Sequence, residues 1–179
     1  MVEEDQRRGR PLRSDAFLRK AMETWGGSVY RLALVHTGSR ADAEDVYQDV
    51  FIRLAQDTTR FHNAEHLKAW LLRVTTNRCH DLARSAKRRP TVGLDELPAE
   101  PIQPPDRTPH EHTNDLWEAV ETLPESMRPL IHLFYYEGYS GEEIARLLNL
   151  NPSTVRTRLQ RARTHLKTTL QGGVNHDRR

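Results

Sequence analysis

The chain has 179 residues, of which 36% are apolar and 7% aromatic, too few for one large core and suited to two modest helical domains. Its net charge of +2 conceals an asymmetry: residues 1–90 carry 17 basic against 12 acidic side chains and residues 128–179 carry 9 against 4, whereas residues 91–127 hold 9 acidic side chains and only Arg107. Two basic ends around an acidic bridge suit a protein that touches a polyanion twice; no apolar run nears the roughly 18 residues that span a bilayer, and the lone Cys79 excludes an intramolecular disulfide and points to a cytoplasmic protein.

Residues 1–13 are expected to form a disordered arm with solvated arginines. Ser14-Asp15 caps a helix carrying Phe17, Leu18 and Met22; Gly26-Gly27 should interrupt or bend it before Val29, Leu32, Leu34 and Val35 continue the apolar pattern to Gly38. Ser39 to Asp42 opens a second helix with Val46, Val50, Phe51 and Leu54 on one side and Glu44, Asp45, Gln48 and Asp49 on another. After a polar break at Asp57 to Arg60, Phe61 to His66 reads as a loop. A long helix from about Leu67 to Ala86 then turns Trp70, Leu71, Val74 and Leu82 inward and carries Lys68, Arg73, Arg78, Arg84 and Lys87. Cys79 within it reads as a small packed thiol rather than a redox group.

Six of the ten prolines (Pro90, Pro98, Pro101, Pro104, Pro105 and Pro109) fall in the acidic stretch, so residues 90–112 read as an extended tether between domains 14–89 and 113–170. In the second domain Leu116, Trp117, Val120 and Leu123 form one helix. Pro124 starts another with Met127, Leu130, Ile131, Leu133 and Phe134, which Pro129 should bend and Gly138 should end. Residues 171–179 are expected to be a disordered tail.

Between Tyr139 and Lys167 lies the pattern of a helix-turn-helix. Ile144, Ala145, Leu147 and Leu148 line one face of a first helix of about ten residues with Glu142 and Glu143 at its positive end. Asn151 followed by Pro152 is a cap and a helix start. From there Val155, Leu159, Ala162 and Leu166 make an inward stripe, leaving Ser153, Thr157, Gln160, Arg161 and Thr164 outward with Arg156 and Arg163 at the flanks. Arginine forks match guanine, glutamine matches adenine, and flanking cations hold phosphates.

These stretches in this order resemble the extracytoplasmic function (ECF) sigma factors of bacterial RNA polymerase, within the sigma-70 family. DAEDVYQDVFIRL at 42–54 resembles the family's acidic helix and FHNAEHLKAWLLRVTTNRCHDLARSAKRR at 61–89 its promoter-melting segment; LPESMRPLIHLFYYEGYSGEEIARLL at 123–148 with STVRTRLQRARTHL at 153–166 resembles its second domain. The resemblance implies an all-α fold of two small domains on a flexible linker. It implies that Glu44, Asp45, Gln48, Asp49 and Arg53 dock on the β′ clamp helices of the polymerase core, with the β flap as a further contact. His62, Asn63, Ala64, Glu65 and His66 would catch a flipped base of the −10 element, and Lys68, Asn77, Arg78, Arg84 and Lys87 would extend that surface, Asp81 pairing with Arg78 or Arg84. Ser153, Thr154, Arg156, Thr157, Gln160, Arg161 and Arg163 would read the −35 element. An anti-sigma factor is implied as a partner, and no cofactor.

Two other classes fit the sequence less well. A dimeric helix-turn-helix regulator leaves the acidic helix and residues 57–89 without a task. An enzyme needs a clustered nucleophile, base or metal set, and His110-Glu111-His112 has no further ligands at metal spacing.

Overall fold

The computed structural model describes residues 13–88 and 119–174, and every regular element among them is helical. The arm at 1–12, the tether at 90–112, the His110-Glu111-His112 cluster and residues 175–179 lie outside the described residues.

Helix α1 (Asp15–Thr37) starts where the Ser14 hydroxyl accepts from the Phe17 N–H and stops at Gly38, whose positive φ of 68° turns the chain while its N–H donates to Leu34. The expected break at Gly26-Gly27 is absent, and α1 is one helix. A Cβ at Gly26 would stand 2.9 Å from the Tyr47 hydroxyl, so the glycine admits a close helix crossing. Each helical glycine costs about 1 kcal/mol in propensity, which packing against Tyr47 offsets.

Helix α2 (Arg40–Gln56) is capped by Ser39, whose hydroxyl accepts from the Asp42 N–H. Helix α3 (Ala64–Arg88) begins three residues earlier than the periodicity suggested. Its first turn is nucleated by Asn63, whose side-chain oxygen accepts from the His66 N–H at 2.7 Å. Val29, Ala33 and Leu34 of α1, Val46, Val50 and Leu54 of α2, and Trp70, Leu71 and Cys79 of α3 make the first core. Burial pushes the Cys79 thiol up to about 12, which keeps it neutral and inert.

Arg13, expected to be solvated, is instead fixed: its guanidinium lies over Phe17 and Phe61 and donates to the Leu54 and Thr59 carbonyls. Two aromatic faces, the Leu54 carbonyl at the end of α2 and the Thr59 carbonyl just beyond it hold it there.

In the second domain Ala119 to Glu121 are helical, and the chain turns at Pro124, whose carbonyl accepts from Met127 at 2.8 Å. Helix α4 (Arg128–Ile131) begins only after that turn, which puts Pro129 in its first turn. There its missing N–H falls among those that a first helical turn leaves unpaired. The chain continues as a π-helical turn over His132–Tyr136, buries His132 and Leu133, and turns Tyr135 and Tyr136 outward before Gly138 at φ 79°. Helices α5 (Gly141–Leu148) and α6 (Pro152–Val174) complete the domain. Helix α6 runs four residues into the stretch expected as a tail.

The second core gathers Leu123, Leu130, Leu133, Ile144, Val155, Leu159 and Ala162, and it also takes Leu32 of α1 and Leu72 of α3. Both leucines are fully buried, so the two domains share apolar surface. Burying a leucine side chain is worth about 1.5–3 kcal/mol, enough to make the closed arrangement more than incidental contact.

Candidate polymerase and nucleic-acid interfaces

The α5–α6 pair is held at each end by local hydrogen bonds. Ser140 and Glu143 form a reciprocal capping box: the Glu143 carboxylate accepts from the Ser140 N–H at 2.8 Å, and the Ser140 hydroxyl accepts from the Glu143 N–H at 3.3 Å. Those Ser140 donors hold the Glu143 carboxyl below its usual range. Asn149 closes α5 in the left-handed region at φ 53°, and the Leu150 N–H returns to Ala145 at 2.9 Å. The Asn151 side chain then accepts from Ser153 N–H at 2.9 Å, as its place before Pro152 suggested.

Val155, Leu159 and Ala162 are buried, as the stripe requires. Arg156, Thr157, Gln160, Arg161 and Thr164 are exposed and Thr154 is half-buried. Among the described residues Arg156 and Arg161 have no hydrogen bond or ion pair. Ser153 spends its N–H and hydroxyl on Asn151. Arg163 is engaged as well: its Nε donates to the Tyr135 hydroxyl at 2.8 Å and its guanidinium lies 4.9 Å from the Phe134 ring centroid. Sequence reasoning missed this shelf, although the consecutive Phe134-Tyr135-Tyr136 run was a visible signal.

The expected −10 loop is shorter than its sequence suggested, because Ala64, Glu65 and His66 form the first turn of α3. His62 and His66 stack with ring centroids 5.3 Å apart, and the His62 N–H points to His66 Nδ1 at 3.4 Å. Phe61 stands edge-on to His66 and Trp70. Trp70 is buried and structural, as expected. Asn63 has its oxygen committed to the cap, leaving its amide group outward.

Further along α3 the cations are largely engaged. Lys68 Nζ lies 3.0 Å from the Glu137 carboxylate. Arg78 pairs with Asp49 of α2 rather than with Asp81, and Asp81 pairs with Arg84 at 3.7 Å. Asn77 is exposed, and the Lys87 side chain lies outside the described residues. Arg73, outside the predicted set, is exposed and shares a groove with His66 and Trp70 on one wall and Tyr139, Glu143 and Arg146 of the second domain on the other.

On α2, Glu44, Asp45, Gln48 and Arg53 are exposed and Asp49 is half-buried. Beside them Ile52 is 55% exposed, an apolar side chain with no core to serve. Asp49, Ile52, Arg53, Gln56 and Arg78 line one open groove between α2 and α3. The polar pattern marked this face; the unburied Ile52 at its centre is visible only once the inward stripe is known.

A sigma-70 region 2 model matches residues 21–89 and a sigma-70 region 4 model matches residues 113–166. The ECF RNA polymerase sigma factor SigL of Mycobacterium tuberculosis is 33% identical over 162 residues, covering 87% of this chain and 90% of SigL. SigE of Mycolicibacterium smegmatis, also an ECF RNA polymerase sigma factor, is 34% identical over 151 residues, covering 78% of this chain. The chain spans 56% of that SigE and 38% of the probable sigma factor RfaY of Xanthomonas campestris. Among solved structures, the sigma factor RpoE from Bartonella quintana, crystallised with the anti-sigma factor NepR, superposes with a TM-score of 0.71 at 22% identity over 88% of this chain and 98% of RpoE. CnrH, in complex with the cytosolic domain of CnrY, superposes with a TM-score of 0.59, also at 22% identity, over 89% and 90% of the two chains. At that identity the two structures speak for the fold. With SigL 33% identical over nine-tenths of its length and the two sigma-70 models matched in the expected order, the chain belongs to the ECF group of the sigma-70 family.

Proposed function

We propose that this chain binds core RNA polymerase, recognises −10 and −35 promoter elements and promotes melting to initiate transcription, under the control of an anti-sigma factor. One observation carries the reading: a doubly capped helix-turn-helix presents Arg156, Thr157, Gln160 and Arg161 outward in the same chain as an acidic helix face centred on exposed Ile52.

Each part has a physical role. Ile52, beside Asp49, Arg53 and Gln56 in one groove and on the same helix as exposed Glu44, Asp45 and Gln48, has the make-up of a protein-docking patch, an apolar anchor with polar neighbours. It suits the β′ clamp helices. On α6, Arg161 and Gln160 supply base-edge donors and acceptors, and Arg156 supplies phosphate charge. At the start of α3, the stacked His62 and His66 backed by Phe61 offer an aromatic surface for an unstacked base. Capture of that base drives melting, with Lys68, Arg73, Asn77, Arg78, Arg84 and Lys87 following the strand. The domain limits 14–89 and 113–170 and the tether at 90–112 are part of the same reading, the tether setting how far apart the two grips reach.

Such a chain works as a subunit and not as an enzyme, and no helix among the described residues is long and apolar enough to cross a membrane. It acts in the cytoplasm with the polymerase, without a cofactor. Run-off transcription with purified core tests the assignment. Arg161→Ala should lose discrimination at the −35 element with core affinity retained, and Asp49→Ala should lose core affinity. Unchanged promoter choice in the first, or unchanged affinity in the second, contradicts the respective role. If the wild-type chain supports no specific starts, the helix-turn-helix regulator acting without a sigma role takes its place.

A further inference from the structure

Glu137 lies in the turn after the π-helical segment, where a glutamate before Gly138 reads as solvated; its side chain is only 4% exposed. One carboxylate oxygen accepts from Lys68 Nζ of α3 at 3.0 Å and from the Ser28 hydroxyl of α1 at 3.3 Å. The other lies 3.4 Å from His132 Nε2, close enough for charge attraction but without an aligned hydrogen bond. Burial would raise the Glu137 carboxyl, but the His132 ring, Lys68 and Ser28 outweigh it and bring it down to about 2. The Lys68 ammonium lies 5.3 Å from the Trp25 ring centroid of its own domain and 5.4 Å from that of Tyr139 in the other.

This carboxylate from the second domain is therefore met by one cation and one hydroxyl from the first. A second interdomain contact lies alongside, with Arg31 of α1 over the Tyr136 ring at 5.0 Å. The groove walled by His66, Trp70 and Arg73 on α3 is closed on its far side by Tyr139, Glu143 and Arg146. The first domain's nucleic-acid face thus looks into the second domain.

We infer that Glu137 is an interdomain latch: by holding Lys68 and Ser28 it keeps the chain closed, with Lys68 withheld and the second domain forming the opposite wall of the α3 groove. The occlusion of DNA rests on the promoter-binding reading above; the closure does not. Desolvated charges of this kind are costly to leave single, so removing one partner disfavours the closed arrangement much more than loss of a surface pair would. Opening also uncovers Leu32 and Leu72, so a partner must cover or replace that contact.

The test uses the full chain with spin labels at exposed Glu23 and Lys167, read by pulsed EPR, and a single-stranded −10 oligonucleotide as the binding probe. Cys79 is the sole cysteine and buried, so cysteine labelling at introduced sites is selective. The wild-type chain should give one narrow distance. Glu137→Gln should broaden and lengthen it and tighten oligonucleotide binding by at least about tenfold, since apparent affinity scales with the competent fraction. A Lys68→Glu/Glu137→Lys exchange should restore the narrow distance, which distinguishes a latch from lost folding. Unchanged distances in Glu137→Gln, or no recovery in the exchange, overturn the latch. Lengthened distances with no oligonucleotide binding leave the latch standing and overturn the promoter reading of α3.

Discussion

The two basic surfaces of this chain are in opposite states. On α6 the outward Arg156 and Arg161 have no partner among the described residues, and the helix is fixed beneath them by its caps and by Val155, Leu159 and Ala162. On α3 three cations are engaged, Lys68 by Glu137, Arg78 by Asp49 and Arg84 by Asp81, while Arg73 is exposed. Equal net charge in the two segments hides this difference. Electrostatic attraction needs only charge, but a contact needs a donor that is not already satisfied. The difference is largest at Lys68, which is half-buried against Glu137 of the second domain, whereas Arg156 and Arg161 are exposed.

The largest change expected is at the shared core. Leu72→Ala removes a fully buried side chain at the domain junction and should cost about 2–5 kcal/mol in denaturant unfolding, with oligonucleotide binding at α3 improving in the folded fraction. A loss of about 0.5 kcal/mol or less, the range of surface changes, would mean that the junction adds little.

Next in size is a pH effect confined to the first domain. Burial, reinforced by the neighbouring His80 ring 4.9 Å away, lowers His36 to about 4 from the ordinary 6.5. Because the folded state binds the proton less readily, the stability contribution is complete above pH 6.5 and is lost as pH falls toward 4. At about 1.4 kcal/mol per pKa unit the loss approaches ~3 kcal/mol. His36→Gln should flatten that slope in urea titrations at stepped pH; an unaltered slope would assign it elsewhere. The Glu137 interaction acts in a separate window: its carboxyl is depressed to about 2 from 4.5, so its contribution is present above 4.5 and is lost below. Interdomain distances should therefore lengthen only at the lower pH range.

The free arginines come third. Arg161→Ala should weaken −35 duplex binding by about 1–3 kcal/mol and relax preference at one position, whereas Arg156→Ala should weaken all sequences alike and lower the salt slope. Smallest is Tyr135→Phe, which removes the hydrogen bond to Arg163 at a cost of about 0.5–1.5 kcal/mol. It releases a cation onto the α6 surface, and duplex binding should tighten slightly and become more salt-dependent.

Much of this was legible in the sequence where the controlling interaction is local. The inward stripe of α6, the Asn151-Pro152 start and the Ser14 and Ser39 caps all depend on neighbours within a few residues. The errors share a different cause. Gly26-Gly27 looked like a break because Tyr47, which requires the small residue, is far along the chain. Pro129 looked like an interior proline because the turn at Pro124 delays the helix to Arg128, and the commitment of the Asn63 oxygen to the start of α3 was not foreseen. The pairings Arg78–Asp49 and Lys68–Glu137 join residues distant in sequence, and no periodicity reports such contacts. The helical fold and the outward face of α6 were therefore readable, while the state of the α3 face was not.

The central claim, a closed chain with one grip presented and the other occupied, is tested most directly by lysine acylation footprinting of the free protein with mass-spectrometric readout. The account predicts rapid labelling of exposed Lys20 and Lys167, strong protection of Lys68, and loss of that protection in Glu137→Gln. Lys68 labelling as fast as Lys167 in the wild-type chain would contradict it.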